Sequence, residues 1–389
     1  MGTLGSDWRR IDGAAMAWFG ADDLSQGAQF AERVFERESA ATLELRPVGV
    51  RMRARDDDTV ALSTIAADLG LVADPSVLQQ VGLTFCSSEP QSIAPFWRSA
   101  LGYQPSQQGL SDPLRRDPDV RFEPLSDPRP LRNRIHLDVV RPEPVINGLG
   151  LGAGTGPYGV CQVDAEGNEV DLVPGEPLGG RPEISDWWAV FSAVACYRTS
   201  TVEQQTALTA AAARAADGVG FPLIIDLRPG LVIIDSGKDR WEPAAHGLSI
   251  DFADLAAAVQ SDARRLGATA DPALPRFVQV FLDAADVATV RRFWSTALGW
   301  VADPRPGVTD VHDPLRLGPS LVFQELDPAE VDRRQQRNRI RINLTLAADS
   351  VSARREACVS AGGRLLDVSD TQTLVTDPEG NELLIIAAA

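Results

Sequence analysis

The sequence predicts an α+β protein built by tandem duplication, in which each copy holds a helix-containing domain followed by a second domain that folds as a curved sheet. Three observations predict this architecture: motifs that recur in one order, a join rich in Pro and Gly between the copies, and a change from helical to strand patterns within each copy. The chain has 389 residues, which indicates two to four domains.

The duplication is indicated by short motifs that return in the same order in the second half of the chain. The pairs are DW at 7–8 and 186–187, LELRP at 43–47 and IDLRP at 225–229, LGLVADP at 69–75 and LGATADP at 266–272, FWRSALGY at 96–103 and FWSTALGW at 293–300, DPLR at 112–115 and 313–316, RNRI at 132–135 and 337–340, and EGNE at 166–169 and 379–382. The spacing between partners grows along the chain, as small loop insertions in the second copy would cause. The segment PGEPLGGRPE at 174–183 has the composition of a linker.

The first domain of each copy, residues 1–80 and 184–273, is predicted to run helix, strand, strand, helix. In the second copy the alanine-rich segment 203–218 predicts a helix that ends at Gly218, and Asp251 is expected to cap the next helix. The other patterns are helical spacing over 26–40, alternation over 48–55 and a short apolar run over 231–235.

The second domain of each copy, residues 81–176 and 274–389, is predicted to contain two strand–helix–strand–strand–strand (βαβββ) modules. Side chains alternate between the faces of a strand. In the segment 339–346, Arg339, Arg341, Asn343 and Thr345 therefore share one face, and four Ile and Leu residues share the other. The equivalent polar face in copy one carries Arg134, His136 and Asp138. This alternation predicts a curved sheet with a polar concave face and helices behind it.

Composition excludes several classes of partner. The net charge of −17 argues against nucleic acid, because phosphate binding requires clustered Lys and Arg. No run of eighteen apolar residues is present, so no transmembrane helix is expected. The N-terminus lacks a secretory pattern, and the scattered cysteines form no CxxC pair, so a reducing cytoplasm is the expected location.

The second domains resemble the glyoxalase-like branch of the vicinal-oxygen-chelate (VOC) superfamily, the glyoxalase/bleomycin-resistance/dioxygenase group. The resemblance is carried by FW..ALG[YW], then NRIHLDV, then D[AP]EGNE, and it covers 81–175 and 275–387. It implies paired βαβββ modules that form a cup for a small molecule. It leaves the reaction open, because the superfamily includes lyases, isomerases, dioxygenases, thiol transferases and drug binders without chemistry.

The first domains resemble pterin-4a-carbinolamine dehydratases, on FPLIIDLRPGLVII at 221–234 and HGLSIDFADLAAA at 246–258. Members of that family carry a His-His-Pro triplet before the strand that corresponds to IDLRPGLV. Here Gly220-Phe221-Pro222 stands nearest that place in copy two, and Ser39-Ala40-Ala41 in copy one. Because the dehydration needs an imidazole to move protons, dehydratase activity is not expected. A retained scaffold that packs in a dimer-like way or shapes the neighbouring cup is expected instead.

The VOC resemblance also implies where a metal would bind, since metal-dependent members take their ligands from four strand positions that line the cup. In copy one these positions fall near Gly82, Glu123, His136 and Asp171. The imidazole and two carboxylates could hold one divalent cation with open positions for substrate. The glycine supplies no ligand, however, and Arg134 lies nearby, which favours a polar pocket without a metal. In that pocket His136 would act as general acid or base, with Glu123 and Asp171 as partners.

In copy two the four positions fall near Gln279, Gln324, Arg341 and Leu384. A cation at Arg341 would repel a metal, so none is expected there. Arg339 and Arg341 could instead bind a carboxylate, phosphate or enolate oxygen, for which the guanidinium fork is suited. Gln279 and Gln324 add neutral hydrogen-bonding groups. Together with Arg134, these residues form the predicted substrate-binding set.

The sequence thus predicts a protein of small-molecule or secondary metabolism that binds a small organic molecule, an anionic one included, without a metal. Three alternatives stay open. One is a metal-dependent lyase, isomerase or dioxygenase with a divalent metal on Glu123, His136 and Asp171 of the first cup. Another is a resistance protein that sequesters a drug without chemistry, and a third is a scaffold. The two copies could pair within one chain or form a homodimer. Trp97 and Trp294 are expected in the core.

Overall fold

A computed structural model describes residues 4–388, and the chain divides into two compact units. Each unit takes segments from both copies of the repeat. The first unit contains the described chain up to Leu78, Val140–Ile146 and Pro174–Phe277. The second contains Gln79–Val139, Asn147–Val173 and the described chain from Val278.

Copy one begins with a domain in which strands and helices alternate. Asp23 caps its first helix by accepting a hydrogen bond from the Gln26 backbone N–H at 2.7 Å. Its elements are β1 (Trp8–Ile11), β2 (Ala14–Gly20), α1 (Leu24–Phe35), β3 (Thr42–Arg46), β4 (Gly49–Ala54), α2 (Thr59–Asp68) and β5 (Val72–Ala73). The rest of the copy is β6 (Gln79–Ser87), α3 (Pro90–Leu101), β7 (Gln104–Ser106), β8 (Gly109–Ser111), β9 (Asp119–Pro124), β10 (Ile135–Pro142), α4 (Glu143–Asn147), β11 (Cys161–Val163) and β12 (Glu169–Pro177).

Copy two follows this order with longer helices in its first domain and with three additional short elements, at Pro243–His246, Val331–Gln335 and Arg364–Val368. Those elements are β13 (Trp188–Ala189), β14 (Ala193–Arg198), α5 (Val202–Val219), β15 (Ile224–Arg228), β16 (Leu231–Asp235), α6 (Pro243–His246), α7 (Phe252–Arg265) and β17 (Thr269–Ala270). The second domain has β18 (Phe277–Ala284), α8 (Val287–Leu298), β19 (Val301–Ala302), β20 (Val311–His312), β21 (Ser320–Glu325), α9 (Val331–Gln335), β22 (Ile340–Ala347), α10 (Val351–Ser360), β23 (Arg364–Val368), β24 (Gln372–Thr376) and β25 (Glu382–Ala388).

One predicted helix boundary in copy two is confirmed and another lies two residues further along the chain. Asp251 does cap α7, accepting a hydrogen bond from the Ala253 backbone N–H at 2.9 Å. Gly218, predicted to end its helix, lies inside α5. The chain leaves that helix at Gly220, whose φ of 66° is the left-handed conformation that glycine adopts without steric cost.

In the first unit, one sheet runs through both copies in the order β13-β14-β16-β15-β3-β4-β2-β1, and every pairing is antiparallel. The copies meet at β3 and β15, where Glu44 lies opposite Asp226. Helices α1 and α5 pack against each other, and α5 packs against α7. Because the apolar face of the sheet must be covered, the two copies share one hydrophobic core.

A buried cluster of charges crosses the junction of β3 and β15. Arg46 contacts Asp226 at 2.7 Å, and Arg228 contacts Glu44 at 2.8 Å, so each copy supplies an arginine to the acid of the other. Arg51 adds a second contact to Glu44 at 2.6 Å. Burial alone would raise the pKa of Glu44, but the charges of Arg51 and Arg228 outweigh it and lower that pKa to about 2.

The second unit contains two sheets, and each combines one βαβββ module from each copy. The first sheet has the order β23-β24-β25-β22-β6-β9-β8-β7, and its polar face is called cup I below. The second has the order β11-β12-β10-β18-β21-β20-β19, and its polar face is called cup II. The expectation that each copy closes its own cup is therefore wrong: β6 of copy one pairs antiparallel with β22 of copy two.

The strand alternation predicted for 339–346 agrees with the burial of its apolar face, since Ile340, Ile342 and Leu344 are fully buried. Behind the sheets, Trp97 of α3 and Trp294 of α8 are also fully buried, which confirms that they belong to the core. Their indole N–H groups donate to Asp164 at 2.8 Å and to Asp377 at 3.0 Å.

These hydrogen bonds connect two of the repeated motifs. The Asp164 carboxylate also accepts from the backbone and side-chain N–H groups of Asn168, and Asp377 does the same for Asn381. The FW and EGNE motifs are therefore held together by one buried carboxylate in each copy. Within residues 4–388, no helix has the length and apolarity needed to cross a membrane.

Candidate functional site

Cup II brings polar residues from both copies to one place. His136 and Asp138 share a face of β10, Asp171 lies on β12, and Gln279 lies on β18. His136, Asp138 and Gln279 are buried, and Asp171 is half-buried. We call these four residues the cup II site. The chain supplies them from strands that are distant in sequence but adjacent in the sheet.

The donor atoms of the cup II site converge. One ligand atom each from His136, Asp138 and Asp171 lies within 4.8 Å of the others. No other group of three or more His, Cys, Asp or Glu side chains within residues 4–388 meets that condition. Gln279 donates its Nε2 hydrogen to Asp138 Oδ2 at 2.9 Å, while the buried Gln279 Oε1 has no hydrogen-bond partner. An imidazole, two carboxylates and a free amide oxygen form a donor set that fits a divalent cation.

The environment of His136 keeps its imidazole neutral. Burial lowers its pKa to about 4, an effect that the charge of Glu169 opposes and that Arg132 and Arg333 reinforce. The ring stacks on Phe281, with centroids 4.8 Å apart and planes 14° apart. Its Nε2 lies 3.8 Å from Asp138 Oδ1. A neutral imidazole fixed in this way has a lone pair available to a ligand near pH 7.

Asp171 lies opposite Cys161 in the pairing of β11 and β12. Burial raises the pKa of Asp171, and the hydrogen bond with the Cys161 side chain partly offsets that effect. Burial also raises the pKa of the Cys161 thiol, and the charges of Glu169 and Asp171 add to the rise. Cys161 is therefore a neutral thiol beside the carboxylate, and its contact with the site was not expected from the sequence.

Cup I has a different composition at the corresponding positions. Arg341 Nη2 contacts Glu123 Oε1 at 2.6 Å, so the acid and the base neutralise each other. Asn343 Nδ2 donates to Thr84 Oγ1 at 2.7 Å. Gly82 and Leu384 supply no ligand atom from their side chains. Cup I therefore lacks the donor set that cup II has.

The set predicted as Glu123, His136 and Asp171 is divided between the two cups, which is a correction to the grouping. The pairing between copies places Glu123 with Arg341 and places His136 and Asp171 with Gln279. Asp138 takes the place of Glu123 as the second carboxylate. Alternation had already put Asp138 on the face of His136, and the pairing of Glu123 with Arg341 leaves Asp138 as the second carboxylate of the cup II site.

The predicted substrate-binding residues also separate. Gln324 lies on β21 beside Asp283 of β18 and is exposed at the cup II rim. Arg339 donates to Asn168 Oδ1 at 2.9 Å, Leu131 O at 3.0 Å and Gly167 O at 3.1 Å, and it also contacts Arg129 O. Most of its donors are thus used within the chain. Arg134 lies in a pocket outside the cup II site.

Comparisons with solved structures found chains of limited similarity. Crystal structures similar to this chain include the V278E mutant of glyoxalase I from Zea mays (9% identity, TM-score 0.37, 81% of this chain and 95% of that chain). Another is a glyoxalase/bleomycin resistance protein/dioxygenase family enzyme from Burkholderia phytofirmans (14% identity, TM-score 0.22, 28% of this chain and 95% of that chain). A search of curated proteins found no match.

The model of the family described as "Glyoxalase-like domain" matches the chain twice, over residues 82–173 and 279–386. The two matches together make up half of the chain and contain every residue of the cup II site. One match lies in each half of the chain. The chain therefore belongs to the glyoxalase-like domain family.

Proposed function

We propose that cup II is the reaction and binding site of this chain and that it takes a small organic molecule through oxygen atoms. The observation that carries the proposal is the convergence of His136, Asp138 and Asp171, whose ligand atoms lie within 4.8 Å of one another. A binding site for a small molecule is expected to combine a few converging polar groups with apolar walls. Phe281 and Val322, adjacent on paired strands, supply such a wall.

The same residues fit a resident divalent cation. From the sequence, binding without a metal is the first expectation, and a metal-dependent enzyme is the alternative. His136, Asp138 and Asp171 would hold it, and the free Gln279 Oε1 is the fourth candidate donor. When bound, such a cation acts as a Lewis acid toward a carbonyl or hydroxyl oxygen. An enzyme of the lyase or isomerase type is the function that this donor set supports best.

The protein's own residues contribute orientation and proton control. Gln279 holds the Asp138 carboxylate by its 2.9 Å hydrogen bond, and Phe281 fixes the plane of the His136 ring. Because burial keeps the pKa of His136 at about 4, the imidazole can accept a proton or bind a ligand at neutral pH without first losing one. The half-buried Asp171, whose pKa burial raises, is the second group suited to proton exchange.

Metal analysis of the purified chain tests the proposal. The wild-type chain should bind about one equivalent of a divalent transition metal, measured by elemental analysis and by calorimetric titration with Zn²⁺ or Mn²⁺. His136→Ala and Asp171→Asn should each weaken binding at least tenfold, on the order of the loss seen even for residues that only support ligands.

Glu123→Gln is the matched control, because it alters a carboxylate of cup I that the structure places with Arg341. Its metal affinity should equal that of the wild type. Equal metal binding in His136→Ala and wild type would contradict a cup II metal site. If a ligand raises the melting temperature of the metal-free chain and no reaction occurs, the chain is a binding or drug-sequestering protein.

For the first unit the proposed role is that of a dehydratase-like scaffold without dehydratase activity. The support is the order of its elements and the antiparallel junction of β3 with β15, which joins the two copies. Phe221, near the place expected for the histidines, is buried and packs on Phe252 with centroids 5.0 Å apart. An assay with a pterin carbinolamine should therefore show no acceleration over buffer.

A reducing compartment such as the cytoplasm is the proposed location. All four cysteines are unpaired thiols, which supports a compartment where disulfides do not form. Titration of the denatured protein with a thiol reagent, without prior reduction, should find four thiols per chain. A lower number would point to an oxidising location.

A further inference from the structure

A second pocket, distinct from the cup II site, lies at the ends of β24 and β25. It has a volume of about 530 Å³ and is lined in part by α9 and by the turn between those strands. Four arginines face it: Arg134, Arg334, Arg337 and Arg364. We call this the arginine pocket. Its volume lies in the range of sites that hold small molecules.

The positive charge of the arginine pocket is only partly balanced. Arg337 pairs with Glu382 at 2.6 Å. Among residues 4–388, no carboxylate lies within ion-pair distance of Arg334 or Arg364. Glu379 also lines the pocket, but its carboxylate accepts hydrogen bonds from the backbone N–H groups of Ala285 at 3.0 Å and Asp286 at 2.7 Å.

Three buried donors in the pocket have no partner within the described chain. They are Nε of Arg134, Nε of Arg334 and the Thr376 hydroxyl. Arg134 is 1% exposed, and its terminal nitrogens donate to Glu379 O at 3.0 Å and to Gln336 O at 3.4 Å, which fixes the guanidinium in place. Buried donors are rarely left unsatisfied in proteins, so an acceptor is expected to bind here.

The repeat supplies a comparison, because a corresponding pocket of about 370 Å³ contains Arg339 and Glu166 in the places of Arg134 and Glu379. Its second arginine, Arg129, pairs with Asp127 at 3.1 Å. The Arg339 Nε donates to Asn168. This pocket therefore has balanced charge and satisfied arginines. Of these two pockets, the arginine pocket is the one with an excess of positive charge, in a chain whose net charge is −17.

We propose that the arginine pocket binds the oxyanion of a small organic molecule, a phosphate or a carboxylate. Both groups offer oxygen acceptors that match the fork of a guanidinium, and charge-assisted hydrogen bonds of this kind are the stronger class. Arg334 and Arg364 supply charge, and Arg134 and Thr376 supply preorganised donors. The proposal does not depend on a metal or a reaction in cup II.

Calorimetric titration of the intact chain tests it, with inorganic phosphate and malonate as separate probes. At least one probe should bind with a dissociation constant below about 1 mM, the affinity at which a few charge-assisted contacts are measurable. Binding of phosphate alone identifies a phosphate site, and binding of malonate alone identifies a carboxylate site. If neither probe binds at a concentration of about 10 mM, the proposal is overturned.

Two variants assign the binding to this pocket. Arg334→Gln and Arg364→Gln alter half-buried and exposed side chains, so both should fold with an unchanged melting temperature. Each should weaken probe binding at least about fivefold, within the range for a lost charge-assisted hydrogen bond. Arg214→Gln removes the same charge from an exposed position on α5 and should leave binding unchanged. If Arg334→Gln and Arg364→Gln bind the probe as tightly as Arg214→Gln does, the assignment to this pocket is overturned.

Discussion

Gln279 of copy two donates a hydrogen bond to Asp138 of copy one at 2.9 Å, inside the cup II site. The contact exists because β10 and β18, strands of different copies, are neighbours in one sheet. Neither copy contains this site by itself. The two halves of the chain thus each supply part of one site.

The first prediction concerns this hydrogen bond. Gln279→Leu removes the donor that holds Asp138 and the free amide oxygen beside it, while keeping a side chain of similar size. Affinity for a divalent cation should fall about tenfold to a hundredfold, because the groups that orient ligands contribute on that scale. Calorimetric titration measures the change.

Thr84→Val serves as its control, since it deletes the hydrogen bond to Asn343 in cup I without touching cup II. Its metal affinity should match that of the wild type. If Gln279→Leu binds metal as tightly as the wild type, Gln279 takes no part in the site.

The second prediction follows from the sharing of both sheets. A chain divided between Gly179 and Gly180, which are exposed, should function when the two fragments are expressed together. Each sheet of the second unit needs one module from each fragment, so the pair should copurify and bind metal like the intact chain. Size-exclusion chromatography and metal titration check this outcome.

Either fragment alone should self-associate or fail to fold, because strands such as β6 and β22 would each lose the central partner and expose an edge. A monomeric first fragment that unfolds cooperatively and binds metal with wild-type affinity would show that one copy can close its own cup.

The third prediction concerns the buried charges between β3 and β15. Glu44→Gln leaves Arg51 and Arg228 buried without their acid, and should reduce the free energy of unfolding at pH 7 by about 3–5 kcal/mol. Urea denaturation measures the change. Glu36→Gln, at an exposed position, should alter stability by less than about 0.5 kcal/mol.

The same carboxylate gives a pH dependence with a defined sign. Its pKa is lowered from 4.5 to about 2 on folding, because the neighbouring arginines outweigh the opposing effect of burial. The stabilisation is therefore complete above pH 4.5 and is lost as the pH falls toward 2. Between these values the stability of Glu44→Gln should fall less steeply than that of the wild type. Parallel pH profiles would exclude a role for Glu44.

Much of the fold was predictable because it depends on local patterns. The alternation in β22 placed Ile342 and Leu344 on the buried face, and the motif around Trp97 and Trp294 placed both indoles in the core. These features require only a period of two or a helical face. The burial of an apolar residue does not depend on which strand lies next to its own.

Strand partners, by contrast, could not be predicted. The two copies carry nearly the same pattern of apolar and polar residues, so β6 can bury its apolar face equally well beside a strand of either copy. Because of that ambiguity, the sequence-based prediction grouped Glu123 with His136 in one cup. In the structure Glu123 pairs with Arg341 instead. Charge complementarity was the available clue, since an acid and an arginine at facing positions neutralise each other better than two acids around one histidine do.

The last prediction tests the link between the FW and EGNE motifs. Trp97→Phe and Trp294→Phe each remove one indole N–H donor to a buried carboxylate, Asp164 or Asp377, and both leave the other hydrogen bonds of that carboxylate in place. Each variant should lose about 1–3 kcal/mol of unfolding free energy, the usual value for a hydrogen bond to a charged group plus a small cavity.

The two losses should also be similar, because the repeat gives both indoles the same partner geometry, 2.8 Å in one copy and 3.0 Å in the other. Chemical denaturation of both variants and of the double variant measures them. Burial raises the pKa of Asp377, and the loss of its indole donor should raise that pKa further, so the stability lost in Trp294→Phe should be largest near neutral pH and should shrink as the pH falls and Asp377 takes up a proton. A Trp294→Phe variant as stable as the wild type at every pH would mean that the turn, rather than the indole, holds the carboxylate.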